Sequence, residues 1–420
     1  MVNIETRQFL TSLYGSAVAA ADPARALRPF LPERPKGRLV VVGAGKGAAQ
    51  LAAAFEDLWD GPLEGTVVTR YGYGQACPHI HVLEAAHPVP DVAGLAASDA
   101  LFQQVAGLGP DDLVVALICG GGSALLPAPI SGLSFNDEVL VNEVLLASGA
   151  PISAMNLIRK HVSRIKGGRL ALAAYPARVV SLIVSDVPGD DPAQVASGPT
   201  VPDTGTASQA LAAIRQYRMQ MPDNILNAIA TSQAPSPDAP EFARNQVHVI
   251  ASATRSLEAA AGMARATGIN AVILSDAIEG EAREVGRVHA AIAREVQRND
   301  RPFQKPVLIL SGGETTVTLD QSGGRGGRNS EFLLAFALAI DGLEGISALA
   351  ADTDGIDGSQ DNAGAFADGS TAQAIRAAGF DPTELLTRHD AWGAFEAANS
   401  LFVTGPTGTN VNDFRAILIR

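Results

Sequence analysis

The sequence predicts an α/β fold divided into two α/β/α domains, and three observations carry that prediction. Short, β-branched apolar runs recur at residues 39–42, 66–69, 113–118, 179–184, 247–250, 271–274, 307–310, 346–350 and 401–403, most of them ending in Gly, Asp or Ser. Alanine-rich stretches of helical character lie between them, at 48–57, 208–217, 254–267 and 282–298. Strands apolar along their whole length, alternating with helices, describe mostly parallel sheets covered on both faces. The third observation is length, since 420 residues exceed what one core ordinarily holds.

The elements follow in order. Residues 40–48 read VVVGAGKGA, a strand, a Gly-x-Gly turn and a helix, which is a Rossmann-like opening. The complete GxGxxG fingerprint and the Walker A pattern are both missing. Segment 231–245, TSQAPSPDAPEFARN, is rich in Pro, Ser and Ala and lacks periodicity, so it reads as a linker. It divides the chain into a Rossmann-like domain, 1–240, and a second domain, 241–420.

Composition narrows the function. A hydrophobic fraction of 47% with 18% charged residues is that of an ordinary globular protein. A net charge of -13 speaks against non-specific nucleic-acid binding or attachment to an anionic membrane. The two cysteines, Cys77 and Cys119, make no disulfide framework and fit a reducing compartment. No signal-peptide pattern opens the sequence and no apolar run is long enough to span a membrane, so a cytoplasmic protein is expected.

In parallel sheets ligands bind beyond the carboxyl ends of the strands, so the polar punctuation is where a site is expected. Lys46 stands in the turn Gly43–Gly45, at a helix start, where a positive charge can meet a phosphate or carboxylate. Gly120, Gly121, Gly122 and Ser123 follow the run 113–118, as a backbone anion cradle with Ser123 at the helix N-cap. A nucleophilic role for Ser123 is disfavoured, because the GxSxG elbow needs Gly where Leu125 stands.

Residues 311–331 read SGGETTVTLDQSGGRGGRNSE. Gly312, Gly313 and Glu314 follow an apolar run, and Arg325, Arg328 and Asn329 stand in a glycine-rich turn opening a helix. Arginine supplies a planar fork of donors for phosphate or carboxylate, and a helix start is a ready anion site. Asp186, Asp190 and Asp191 follow another strand, and Asp352, Asp354, Asp357 and Asp361 a further one. Such carboxylates can bind a hard cation or accept a hydroxyl proton, though aspartates are also common in turns. In the basic segment 159–169, Arg164 and Arg169 read as a solvated helix face, while Lys160, His161 and Lys166 stay open. Anion cradles, one lysine, arginines and strand-end aspartates are together the inventory for phosphoryl transfer.

These motifs resemble the D-glycerate 2-kinase family, the class II glycerate kinases of the MOFRL type, whose members have also carried the name hydroxypyruvate reductase. The segments that carry the resemblance run in order from VVGAGKGA through TRYGYG, EAAHPVPD, CGGGSALL, NLIRKHVSRIKGGRLA, SDVPGDDPAQVASGPTVPD, SGGETTVTL, GGRGGRNSE and ADTDGIDGSQDNAGA to TGPTGTNVND. The resemblance implies ATP- and Mg²⁺-dependent phosphorylation of D-glycerate at its 2-hydroxyl. It implies a larger Rossmann-like domain and a smaller mixed-sheet domain with the active-site cleft between them. It also implies catalytic roles for Lys46, Asp190 and Arg325, with Asp190 and Asp352 as metal candidates. One departure is visible, Tyr73 where the family commonly has a histidine. A homodimer is left open. The rival readings are a nicotinamide-dependent hydroxypyruvate reductase, which lacks a ribose-binding acid at 67–71, and a non-catalytic binder, whose motifs would be degraded.

Overall fold

The computed structural model describes residues 2–319 and 324–420. They form two compact units, one of Pro23–Ile250 and one of Met1–Asp22 with Ala251–Arg420.

The first unit is built on β1 (Leu39–Ala44), β2 (Glu64–Arg70), β3 (Ile80–Ala85), β4 (Leu113–Cys119), β5 (Arg178–Val184) and β6 (Gln246–Ala251), in the order β3-β2-β1-β4-β5-β6. β1 runs parallel to β2 and β4, β2 to β3 and β4 to β5. β1 and β4 are buried at every residue, which is why both read as unbroken apolar runs. Val40, Val42, Val114 and Ala116 share a core with Leu101 and Val105 of the helix Val92–Val105. From β1 the order runs outward in both directions, so the carboxyl ends of β1 and β4 form the switch point where doubly wound sheets place ligands. The helices Phe135–Ala147, Ile152–Val162, Ala207–Gln216 and Asp223–Thr231 close a smaller core around Val141, Ile158, Ile214 and Ile225.

The second unit holds β7 (Asn270–Ile273), β8 (Ile278–Glu281), β9 (Val307–Thr316), β10 (Ile346–Asp352), β11 (Gly364–Asp368), β12 (Leu401–Phe402) and β13 (Asp413–Ile419). Their order is β12-β11-β10-β13-β9-β7, with β8 beside β9. β7 and β8 are parallel to β9, and the other pairs are antiparallel. The expectation of mostly parallel strands therefore holds for the first sheet only. β10 and β11 are joined by the helix-free stretch 353–363, and without a crossover helix a neighbouring strand returns antiparallel.

Along β9 the side chains alternate between two cores. Val307 and Ile309 pack with Phe332 and Phe336 of the helix Arg328–Ala339. Leu308 and Leu310 pack with Leu10 and Leu13 of the helix Ile4–Ala20 and with Leu257 of the helix Ala253–Ala266.

The division expected at residue 240 is corrected in two ways. β6 follows the linker yet still takes the edge of the first sheet beside β5, which moves the boundary to residue 250. Residues 1–22 belong with the second unit, where Leu10, Leu13 and Ala17 are buried with Leu257, Ala260 and Ala261. Ser256 Oγ donates to the Ala17 carbonyl there, at 2.9 Å.

Candidate active site

β1 and β4 pair through to Ala44 and Ile118, so the loops leaving them meet. The Lys46 amide donates to the Gly120 carbonyl (2.8 Å), and the Gly45 amide to the Val68 carbonyl (3.1 Å). The Gly47 amide points at Cys119 Sγ, 3.2 Å away. The glycines of this turn serve packing. Gly45 has φ +136°, and a Cβ there would lie 2.4 Å from the Cys119 carbonyl oxygen, while one on Gly43 would lie 2.6 Å from that of Leu117. The amides of Gly45, Lys46 and Gly47 are thus engaged within the protein, and the turn presents the half-buried Lys46 side chain instead of a backbone cradle.

The facing loop is shaped differently. Gly121 (φ +82°) takes the N-cap position expected for Ser123, at the start of the short helix Gly122–Leu125. A Cβ on Gly121 would lie 3.0 Å from both His87 Nε2 and Lys46 Cγ. A Cβ on Gly120 would lie 1.9 Å from Asp186 Oδ2. Ser123 Oγ sits 2.6 Å from Ser197 Oγ, which donates to Asn156 Oδ1 at 3.0 Å. Ser123 therefore anchors this loop to the turn of Ala196 and Ser197, both of which hold positive φ.

Asp186 and Lys46 flank Cys119, whose thiol feels both charges, but burial dominates and pushes it up to about 12, which makes it inert. Asp190 is half-buried in the turn after β5, with φ 54° beside Gly189 at 79°. Asp191 is spent locally, accepting from the Ala193 amide at 3.0 Å.

Apart from Arg164, the basic segment is largely internal. Lys166 is buried, pairs with Glu138 (2.9 Å) and donates to the Leu126 carbonyl (2.7 Å). Lys160 pairs with Asp203. Arg164 does lie exposed, paired with Asp99. Arg169, expected on a solvated face, clamps the carbonyls of Lys160, Lys166 and Gln233 at 2.9, 3.0 and 2.8 Å. A run of basic residues in the sequence cannot distinguish such a clamp from a wet surface.

In the second unit the helix start at Arg328 is already filled. Asp357, fully buried, accepts from the Asn329 amide (2.9 Å), the Ser330 amide (2.8 Å) and Ser330 Oγ (2.6 Å). The anion site expected there is occupied by the protein's own carboxylate. Arg328 donates to Asp413 (2.6 Å), Asp352 (2.8 Å) and Glu314 (2.9 Å). Arg415, buried beneath, pairs with the other oxygen of Asp413, and Asn329 Nδ2 donates to Asp413 at 2.9 Å. The surrounding carboxylates raise the pKa of Arg328 against the opposing effect of burial.

Asp352 has one oxygen on Arg328 and the other on the Asp354 amide, at 3.1 Å, so it is committed within the protein. Burial pushes its pKa up. A metal role for Asp352 would require it to give up these two bonds. Among the described residues no group of three His, Cys, Asp or Glu could hold a metal ion. Gly312 and Gly313 lie inside β9, opposite Phe414 and Asp413 of β13, and form no loop.

Arg325 is the presented cation of this segment. Its half-exposed guanidinium lies 4.1 Å over the Trp392 ring, with Glu396 and Asp390 at 3.7 and 3.9 Å. The Arg325 amide donates to Asp390 Oδ1 (3.2 Å) and the Trp392 amide to the Arg325 carbonyl (2.9 Å), which staples the loop to the helix Ala391–Ala397. Gly323 of the same motif lies outside the described residues.

The sequence reading passed over His87, Trp392 and Asp413. His87 and Asp413 stand within quoted motifs, EAAHPVPD and TGPTGTNVND, while nothing local marks Trp392 as a partner of Arg325.

A doubly wound sheet with a lysine at its switch point, and a second unit with a stacked guanidinium, define an α/β protein in which each unit presents one of the expected cations. The MOFRL family matches residues 307–413, and a domain of unknown function, DUF4147, matches residues 9–230. A D-glycerate 2-kinase from Thermotoga maritima is 38% identical over 94% of each chain, and a glycerate 2-kinase from Pyrococcus horikoshii 37% identical over 98% of this chain and 97% of its own. A protein of Agrobacterium vitis named putative hydroxypyruvate reductase is 51% identical over 99% of this chain and 95% of its own. The crystal structure of the Thermotoga maritima glycerate kinase covers 100% of both chains with a TM-score of 0.90 and 36% identity. The chain belongs to the D-glycerate 2-kinase family. No described helix is long and apolar enough to cross a membrane.

Proposed function

We propose that the protein transfers the γ-phosphoryl group of ATP to the 2-hydroxyl of D-glycerate, giving 2-phosphoglycerate and ADP. The observation that carries this reading is the switch-point cluster, in which Lys46 and Asp186 meet the glycine loop 120–122. Lys46 supplies positive charge to the moving phosphoryl group, and Arg325 offers its fork to a phosphoryl oxygen or the glycerate carboxylate. The glycerate 2-oxygen attacks phosphorus as the bond to the β,γ-bridging oxygen breaks, and the hydroxyl proton passes to a carboxylate. Asp190 is the expected acceptor, and Asp186, set against Gly120, joins it. A Mg²⁺ ion bound with ATP would neutralise phosphate charge. Such ions are ordinarily held by one or two carboxylates plus the phosphates, and Asp186 and Asp190 would supply them. Two free cysteines suit a cytoplasmic setting.

The test is an assay with ATP, Mg²⁺ and D-glycerate, read by phosphorus NMR. Formation of 2-phosphoglycerate supports the reading, whereas 3-phosphoglycerate alone removes the regiochemistry.

A second reading has one observation behind it: the order β3-β2-β1-β4-β5-β6 is that of dinucleotide-binding sheets. A hydroxypyruvate reductase would oxidise NADH or NADPH with hydroxypyruvate and need no ATP. Against it, β2 ends at Arg70, and Tyr71 follows, without the acid that holds a ribose, and Lys46 stands after the Gly43–Gly45 turn.

Two substitutions probe the groups assigned here. Arg325→Lys keeps the charge but loses the fork and much of the stacking on Trp392, so kcat/KM for D-glycerate is expected to fall about 10- to 100-fold. A rate within about twofold of wild type removes the bidentate contact. Gly120→Ala sets a methyl against Asp186, which must turn away. Turnover is expected to fall by at least about tenfold at an unchanged melting temperature. Unaltered turnover takes Asp186 out of the chemistry.

A further inference from the structure

We infer that His87 is a further ligand-contacting residue of the switch-point site, donating a hydrogen bond to an oxyanion held beside Lys46. The inference rests on the kinase reading of that site and names a contact nothing else assigns.

The geometry carries it. His87 follows β3, and its Nε2 lies where a Cβ on Gly121 would come within 3.0 Å, the same distance as to Lys46 Cγ. The ring thus borders the glycine loop and the lysine stem at once. Among the described residues no hydrogen bond reaches either ring nitrogen. A half-buried imidazole without a partner is unfavourable in the free protein and becomes favourable when a ligand supplies the acceptor.

Two buried histidines, by contrast, are satisfied internally. His289 bonds the Val285 carbonyl (2.8 Å) and Ser311 Oγ (3.0 Å), and His161 bonds Ser232 Oγ (2.6 Å). Burial, then the cations Lys46 and Arg70, push the His87 pKa down to about 4. At pH 7 the ring is neutral, so one nitrogen carries a proton to donate and the other is an acceptor. A neutral donor beside a lysine suits an oxyanion, because it adds a directional bond without a second titrating charge.

The oxyanion has two sources, the ATP phosphates and the glycerate carboxylate, and calorimetry on the full chain separates them. One arm titrates inorganic tripolyphosphate and the other D-glycerate, into wild type, His87→Ala and His87→Gln. His87→Ala is expected to bind one of the two about 10- to 100-fold more weakly, with the other and the melting temperature unchanged. Glutamine, whose amide nitrogen approximates Nε2, is expected to recover most of the loss. Unchanged binding of both ligands by His87→Ala overturns the contact while leaving the kinase reading intact. Weakening of both ligands together with a lower melting temperature assigns His87 a structural role and also overturns it. A wild-type protein that binds neither ligand overturns the contact and the kinase reading together.

Discussion

Lys46→Ala lowers kcat with D-glycerate and ATP by about a thousandfold, the scale on which removal of one preorganised electrostatic group is felt in a phosphoryl-transfer site. The expectation follows from what the turn itself presents. Its amides are engaged with Val68, Gly120 and Cys119, so the turn offers the Lys46 side chain rather than backbone donors. Its removal leaves the turn intact, because the packing contacts belong to Gly43 and Gly45, and the melting temperature should move little. Steady-state kinetics with a thermal melt decide the matter. Near-normal turnover removes Lys46 from the mechanism, and lost turnover with a lost melting transition assigns it to the fold.

Arg328→Leu carries the largest expected cost in stability. The guanidinium is the shared partner of Asp352, Asp413 and Glu314. Asp413 keeps Arg415 and Asn329, whereas Asp352 is left buried with only the Asp354 amide. Stranding a buried carboxylate costs about 3–5 kcal/mol, which urea unfolding resolves. The double variant with Asp352→Asn removes the stranded charge and should recover part of the loss. A single variant within about 0.5 kcal/mol of wild type, or a double variant no better than the single, refutes the hub.

The contrast between these arginines marks how far the sequence could be read. GGRGGRN displays Arg325 and Arg328 as equals, and spacing cannot separate them. Their difference is tertiary: Arg328 meets carboxylates from β9, β10 and β13, while Arg325 meets an indole 67 positions along the chain.

Regular elements were legible wherever local pattern decides them. Each apolar run used for the prediction became a strand, and the stretch 282–298 became the helix Ala282–Asn299. Strands lacking a continuous apolar run, such as β3 with His81 and Glu84, left no comparable signal. The glycine-rich segments were legible as special positions but not as to kind. Gly45 and Gly313 are required by the backbone of a neighbouring strand, a Cβ on Gly313 meeting the Ile278 carbonyl oxygen at 2.2 Å. The carboxylate that fills the Arg328 helix start comes from Asp357, beyond the helix it caps.

The packing of the helix Ile4–Ala20 bears on the order in which the protein is made. This helix is synthesised well before its partner Ala253–Ala266, which lies 233 residues further on, counting from Ala20 to Ala253. At ordinary translation speeds that separation is roughly 10 to 50 s. Throughout that interval Leu10, Leu13 and Ala17 have no native surface to cover them. The nascent chain therefore carries an adhesive stripe while residues 23–250 are being completed, a natural handhold for a chaperone.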